Sequence, residues 1–416
     1  MREKNDLDIC FLSILFPTEK FGEDVSYYKK MTKRQRSQNI SSIQYDIING
    51  LMSNNETPPW IINTLLVPLF PQGYKLPVIK RKFFKGRFCG ITYSFINCPF
   101  IYSSSLFYGA KKYLRSWARQ DKGKEKVIIA YSLTTYTLKA MNYVKKINPD
   151  IKTIIIVPDL PQYTYRHSNN IVIHIKNLLG KKKVLKCIDK YSAFTDGWLL
   201  FSEHMKKEIP NCNKYMVFEG VATDIFSSVD SHRIVSENNY EILYGGGLNK
   251  NYGLQTLLDA FSLIKDSRYK LVLAGKGDMQ EEIIKRKMSD NRIIYLGEIP
   301  REKLLELEKG ADLLVNPRTN SGIFTKYSFP SKNMEYLSSG VPMLGYKLEG
   351  IPREYDEFIN YFKESTAESL SQAIIDICTV KKEISIQKAN VAKEFVLNNK
   401  NKTVWGNKIF QFIKNI

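Results

Sequence analysis

The chain has 416 residues, 43% hydrophobic and 25% charged, which is too long for one compact core and leads to the expectation of two domains. Six scattered cysteines without a CxxC pair, and only four histidines, exclude a disulfide scaffold and a His/Cys zinc centre and point to a reducing compartment. The net charge of +20 is lopsided: residues 1–225 hold 35 Lys+Arg against 18 Asp+Glu, and residues 226–416 hold 27 against 24. Such an asymmetry directs one half towards an anionic surface, either nucleic acid or the anionic face of a membrane.

The apolar run at 9–16 (ICFLSILF) has no small-residue cleavage site after it and reads as a buried first strand rather than a secretory leader. Further strand-like runs follow at 62–70 (INTLLVPLF), 126–132, 152–158 (KTIIIVP), 197–202 and 214–220. The run at 60–70 is short and broken by Pro68, so it is not a membrane span. Two basic segments interrupt this half, an aromatic-rich one at 73–88 and one at 174–191 that reads either as an amphipathic basic helix on an anionic surface or as a plain solvated helix. A polar, aperiodic stretch at 221–239 marks the linker.

Beyond it the pattern becomes regular. Strands at 240–247, 269–277, 291–297, 311–317 and 341–346 alternate with helices at 254–265, 279–288, 301–310 and 367–378. Continuous Val/Ile/Leu strands separated by helices predict parallel sheets covered on both faces. Three of the strands end in glycine loops: YGGGLNKNYG (244–253), AGKGD (274–278) and LGEIP (296–300). Glycines there let backbone N–H groups approach a diphosphate without an intervening Cβ. This places candidate ligand contacts at Gly246, Gly247, Asn249, Lys250, Gly275, Lys276, Gly277, Glu298 and Ile299. The dinucleotide pattern GxGxxG is not matched, because Asn249 stands at the final glycine.

FTKYSFPSKNMEYLSSGVP (324–342) carries a lone carboxylate, Glu335. Pro330 excludes Phe329 from a helix, so a helix is expected from Ser331, with the Ser331 hydroxyl as N-cap, Met334 and Leu337 inward, and Gly340 as the stop. Glu335 is thereby expected near a helix start, where anions, sugars and nucleotides are held, or else as a carboxylate that only stabilises its own helix start.

The ordered set YGGGLNKNYGLQTLLDAF, LVLAGKGD, IIYLGEIPREKLLELEKGADLLVNP and FTKYSFPSKNMEYLSSGVPML resembles the nucleotide-binding domain of the retaining family-4 glycosyltransferases. Upstream, PDLPQY, LFSEHMKKEI and FEGV resemble enzymes that extend capsular or exopolysaccharide repeat units. The resemblance implies a GT-B architecture, two Rossmann-like domains facing each other across a cleft. Its expected divisions are residues 1–224, which face acceptor and membrane, 225–395, which bind the nucleotide sugar, and a helical segment 396–416 returning to the first domain. It also implies that Glu335 binds the nucleotide's ribose, since a carboxylate accepts two hydroxyl hydrogen bonds.

Two departures stand out. The first Glu of the family's paired element is replaced by Tyr327, and the usual two phosphate-binding cations by Gly247 and Tyr252. Lys250, Arg318, Lys326 and Lys332 are the candidates to offset the departing diphosphate, with Lys332 and Lys250 preferred. Asp159, closing the strand at 152–158, is the candidate catalytic group for donor or acceptor, or else a turn cap.

The expected reaction is transfer of a sugar from a nucleotide diphosphate sugar, for which a UDP-sugar is the first candidate, to a glycan acceptor linked to polyprenyl diphosphate. Retention at the anomeric carbon and no cofactor or metal are implied by the resemblance. The expected place is the cytoplasmic side of the plasma membrane, bound peripherally to anionic lipid. The alternatives are a GT-B epimerase acting on its own nucleotide sugar and a basic nucleic-acid-binding protein, the latter without any helix-turn-helix, zinc-finger or RNP spacing.

Overall fold

Asp8–Ser13 (β1) is buried at all six positions, so it needs paired neighbours on both edges and covering layers on both faces. A computed structural model, which describes residues 6–16, 30–32, 39–71, 73–99, 101–164, 171–222, 224–320 and 322–416, supplies both. The chain divides into two units, Met1–Glu219 with Lys402–Ile416, and Gly220–Asn401.

In the first unit the strands are β1, β2 (Trp60–Asn63), β3 (Val78–Ile79), β4 (Lys82–Phe84), β5 (Cys89–Thr92), β6 (Phe95–Ile96), β7 (Lys126–Tyr131), β8 (Lys152–Val157), β9 (Gly197–Leu200) and β10 (Tyr215–Val217). They form an eight-stranded sheet in the order β10-β9-β8-β7-β1-β2-β5-β4 and a two-stranded β3-β6 ribbon. Every pairing in the large sheet is parallel except the edge pair β4–β5. The run expected as a strand over 62–70 is strand only to Asn63. Pro68 has no N–H to give a ladder, and the Asn63 side chain bonds Ser13 Oγ and the Leu15 N–H instead. The Lys402–Lys414 helix packs against the Asn39–Asn54 helix, burying Trp405, Ile409, Phe410 and Ile413.

The second unit is a six-stranded, wholly parallel sheet: β11 (Tyr240–Gly245), β12 (Tyr269–Ala274), β13 (Ile293–Gly297), β14 (Leu313–Asn316), β15 (Met343–Tyr346) and β16 (Asn360–Phe362). Its order is β13-β12-β11-β14-β15-β16. Alternate residues of each strand enter opposite cores. Ile242, Leu271, Leu273 and Leu313 join the helices Leu254–Leu263, Gln280–Ser289 and Ala367–Cys378 on one face. Leu243, Val272, Leu314 and Met343 join Arg301–Gly310, Ser331–Ser339 and Lys382–Asn399 on the other. This is a doubly wound sheet, and the order reverses between β11 and β14. The polar stretch 221–239 is integrated into this unit: Phe226 is fully buried, and the His232 N–H donates to the Glu306 carbonyl.

Candidate active site

A ligand of an open parallel sheet sits outside the carboxyl ends of the strands where their order reverses, which here means the loops after β11 and β14. The glycine loops at that edge are bonded into one layer. The Gly246 N–H donates to the Ala274 carbonyl at 2.9 Å, and the Gly275 N–H to the Gly297 carbonyl at 2.7 Å. Gly275 has φ +136°, and a Cβ there would lie 1.7 Å from the Gly246 oxygen, so only glycine permits this approach. The Asp278 carboxylate accepts from the Lys250 N–H at 2.7 Å and ties the first loop to the second. Gly253, at φ +80°, starts the Leu254–Leu263 helix against the Pro317 carbonyl after β14.

The second contribution is the Ser331–Ser339 helix. Met334 and Leu337 are buried, and Gly340 ends the helix in the left-handed conformation. Pro330, however, occupies the N-cap position and Ser331 is the first helical residue, exposed and making no capping bond. Proline's fixed φ lets the chain enter the helix without a hydroxyl cap. Asn333 accepts from the Asn316 amide at 2.7 Å, fastening the helix to the end of β14. On its other side, the Tyr336 hydroxyl accepts from the Gly245 N–H at 3.2 Å, fastening it to the end of β11.

These two anchors bring Lys332 to the glycine loop: its Cε lies 3.3 Å from where a Cβ on Gly246 would stand. The Lys332 ammonium meets Glu335 at 2.5 Å and Glu308 at 3.0 Å, and Arg301 meets the second Glu335 oxygen at 2.7 Å. Glu308 is wholly buried, and its Oε2 has no hydrogen-bond partner. Burial, opposed in part by Lys332, pushes its carboxyl up to about 8. Burial would raise Glu335 as well, but Lys332 and then Arg301 hold it below the ordinary carboxylate range. Burial disfavours the Lys332 ammonium, and the Glu308 and Glu335 charges outweigh that and raise its pKa above a normal lysine's. With Glu308 protonated the four groups sum to one positive charge beside Gly246, and with Glu308 ionised they sum to zero.

Gly246, Lys332 and Glu335 are thus brought together. Arg301, Glu308, Asp278 and Tyr336 belong with them and were not expected from the sequence. Arg301 and Glu308 lie seven residues apart on one helix, a spacing that puts them on the same face, but only packing shows which element that face meets. The other expected residues lie more loosely around this centre. Asn249 and Lys250 follow the glycine loop, the former beside Gly247. Lys276 pairs with Glu298 at 2.6 Å in an exposed ion pair. Gly277 lets the Leu248 carbonyl approach, and Ile299 packs on the core below. Arg318 stacks over Phe324 and Tyr252, its ring distances 4.7 and 5.5 Å, and donates to Ser328 Oγ at 3.1 Å. Lys326 approaches Glu349 at 3.6 Å, and Tyr327 is buried. Asp159 belongs to the other unit, exposed just past the carboxyl end of β8.

Residues 230–394 match the family model described as glycosyl transferases group 1. Over the whole chain the fold is that of GT-B glycosyltransferases. A sucrose-phosphate synthase from Thermosynechococcus elongatus superposes with TM-score 0.63 at 13% identity over 98% of both chains. Anabaena HepE, solved with UDP and glucose, gives 0.61 at 13% identity over 98% of this chain and all of that one. The lipopolysaccharide outer core galactosyltransferase WaaB, in its apo form, gives 0.58 at 12% identity over 98% and 99%. Among curated proteins none matches the chain in sequence.

Proposed function

We propose that this enzyme, a glycosyltransferase of the GT-B fold, moves a sugar from a nucleotide diphosphate sugar held at the β11/β14 edge of its second unit. The observation that carries the reading is the Lys332 side chain lying against the Gly246 loop while Glu335, one turn later, offers its carboxylate from the same helix. A diphosphate over the glycine loop meets backbone that no Cβ shields and, beside it, the Lys332 side chain, and the ribose diol meets a carboxylate. As the glycosidic bond to the diphosphate breaks, negative charge grows on the phosphate oxygens, and Lys332 is placed to offset it. Lys332 then takes the part of the two cations that the glycine loop lacks, with Arg301 keeping Glu335 ionised.

The acceptor side of the proposal is a glycan, linked to a polyprenyl diphosphate and held at the cytoplasmic membrane face, with Asp159 orienting the acceptor hydroxyl. Retention at the anomeric carbon belongs to the same proposal, the leaving diphosphate assisting removal of the acceptor proton. The UDP in the Anabaena structure supports a uridine donor. No helix among the described residues is long and apolar enough to cross a membrane.

A thermal-shift panel of UDP-, GDP-, ADP- and TDP-sugars on the wild type and Glu335→Ala tests the donor site. A ligand that binds only the folded chain raises its melting temperature, by about 2.7 kcal/mol of stability at a hundredfold excess over Kd. The expected result is a shift with the UDP-sugars that disappears in Glu335→Ala. Absence of a shift with every nucleotide would remove the proposed donor site.

A further inference from the structure

Residues 57–120 hold ten Lys and Arg residues and not one Asp or Glu, in a chain with 42 carboxylates. All ten cations are exposed. Six of them (Lys75, Lys80, Arg81, Lys82, Lys85 and Arg87) lie on or beside β4, the edge strand of the eight-stranded sheet, and β3 of the two-stranded ribbon. The remaining four, Lys111, Lys112, Arg115 and Arg119, form a stripe along the Tyr102–Arg119 helix, and no described carboxylate pairs with any of them. The two groups adjoin. Arg81 reaches the Tyr113 hydroxyl at 3.5 Å, its N–H donates to Ser94 Oγ, and the Ile96 N–H donates to Ser105 Oγ within the helix.

Large apolar side chains are interleaved with the cations and left in solvent. Phe83 is 55% and Tyr108 69% exposed, and Val78, Ile96 and Ile101 are exposed beside them. Between Tyr108, Tyr143 and the four-cation stripe runs an open groove of about 570 Å³. A solvated basic face explains the lysines but gives no reason for this exposed apolar set. A lipid bilayer interface satisfies both, because acidic headgroups take the cations while aromatic and aliphatic side chains enter the headgroup boundary.

We propose that this face, built on β3, β4, β6 and the Tyr102–Arg119 helix, is where the enzyme docks on an anionic phospholipid surface. The inference rests on the membrane-held acceptor proposed above and locates the contact in the first unit, on residues separate from the nucleotide site. Docking there would hold the first unit against the layer in which a lipid-linked acceptor diffuses.

The test is co-sedimentation with phosphatidylcholine vesicles with and without phosphatidylglycerol, at low and high salt. The wild type is expected to bind only the anionic vesicles and to leave them as salt rises. Lys111→Gln/Lys112→Gln/Arg115→Gln/Arg119→Gln is expected to lose about a hundredfold or more in vesicle affinity, from roughly fivefold per charge. Phe83→Ser/Tyr108→Ser, with every charge kept, is expected to weaken binding about tenfold or more through lost apolar insertion. Both variants should keep the wild-type melting temperature and nucleotide-induced shift, which shows that they are folded. Wild-type protein remaining in the supernatant with anionic vesicles at low salt overturns the proposal, while an intact nucleotide shift leaves the donor site standing. Binding to single-stranded RNA that exceeds vesicle binding and ignores Phe83→Ser/Tyr108→Ser overturns it too, in favour of a polyanion surface.

Discussion

Glu308 is the residue whose chemistry the surrounding structure changes most. Its pKa of about 8 means that between the ordinary carboxyl range near 4.5 and pH 8 the folded chain binds a proton that the unfolded chain has released. Its contribution to stability is therefore complete below that ordinary range and is lost as pH rises through about 8. Glu308→Gln retains an oxygen for Lys332 and never ionises. Relative to wild type, the variant should gain stability as pH rises across this window, by at most about 1.4 kcal/mol per pH unit, in urea melts read at successive pH values. Parallel pH profiles for the two proteins would mean that Glu308 does not titrate there. Gly275 shows the opposite kind of constraint, where the backbone itself is the functional part and any side chain collides with the Gly246 carbonyl.

At the scale of elements, the site is a joint between the Ser331–Ser339 helix and the ends of two strands. Asn333 holds one end to β14 and Tyr336 the other to β11. Tyr336→Phe keeps the ring and the packing but leaves the buried Gly245 N–H without its acceptor. A buried donor left unmade costs about 1–3 kcal/mol. The variant should lose that much in chemical denaturation, and its nucleotide-induced shift should shrink, because the glycine loop and Lys332 are no longer held to one another. A loss of stability with an unchanged nucleotide shift would show that the joint supports the fold and not the site. The N-cap illustrates how the joint departs from local expectation: Pro330 stands there without any side-chain cap, its fixed φ leading into the helix, and the Asn316–Asn333 bond ties that first turn to β14.

At the scale of the molecule, the last helix belongs to the first unit although it follows the second in sequence. The Lys402–Lys414 and Asn39–Asn54 helices cross where Gly50 faces Gly406, and a Cβ on Gly406 would lie 2.3 Å from the Gly50 oxygen. Phe218 and Trp405 pack beside this crossing, their ring centroids 4.6 Å apart and the rings tilted by 59°. Gly406→Val should push the helices apart and cost about 1–3 kcal/mol, the usual effect of overpacking. All four tryptophans, Trp60, Trp117, Trp198 and Trp405, belong to this unit, so tryptophan fluorescence, excited selectively over tyrosine, follows it alone in denaturant. An unchanged fluorescence midpoint would mean that the crossing tolerates separation. The unequal charge of the two halves acts at this scale as well, since a surface of ten cations without carboxylates works by its summed field and not by any one pair.

The alternation of Val/Ile/Leu strands with amphipathic helices determined by itself that the second unit would be a parallel doubly wound sheet. Period and apolar pattern are local properties, and a strand buried on both faces has few other places to go. The glycine loops at the strand ends, the 331–339 helix, its Gly340 stop and the basic first half were legible for the same reason, being written in contiguous residues. Tertiary structure alone decided which charges share the site. Glu308 lies 24 residues from Lys332 and Arg301 lies 34 from Glu335, and nothing in their own neighbourhood signals the meeting. Their partnership exists because two helices pack on the same face of one sheet, and burial there makes a proton linger on Glu308 that water would remove. The strand at 60–63 stopped short of its apolar run for a like reason, because a long-range side-chain bond and a proline outweighed a local preference.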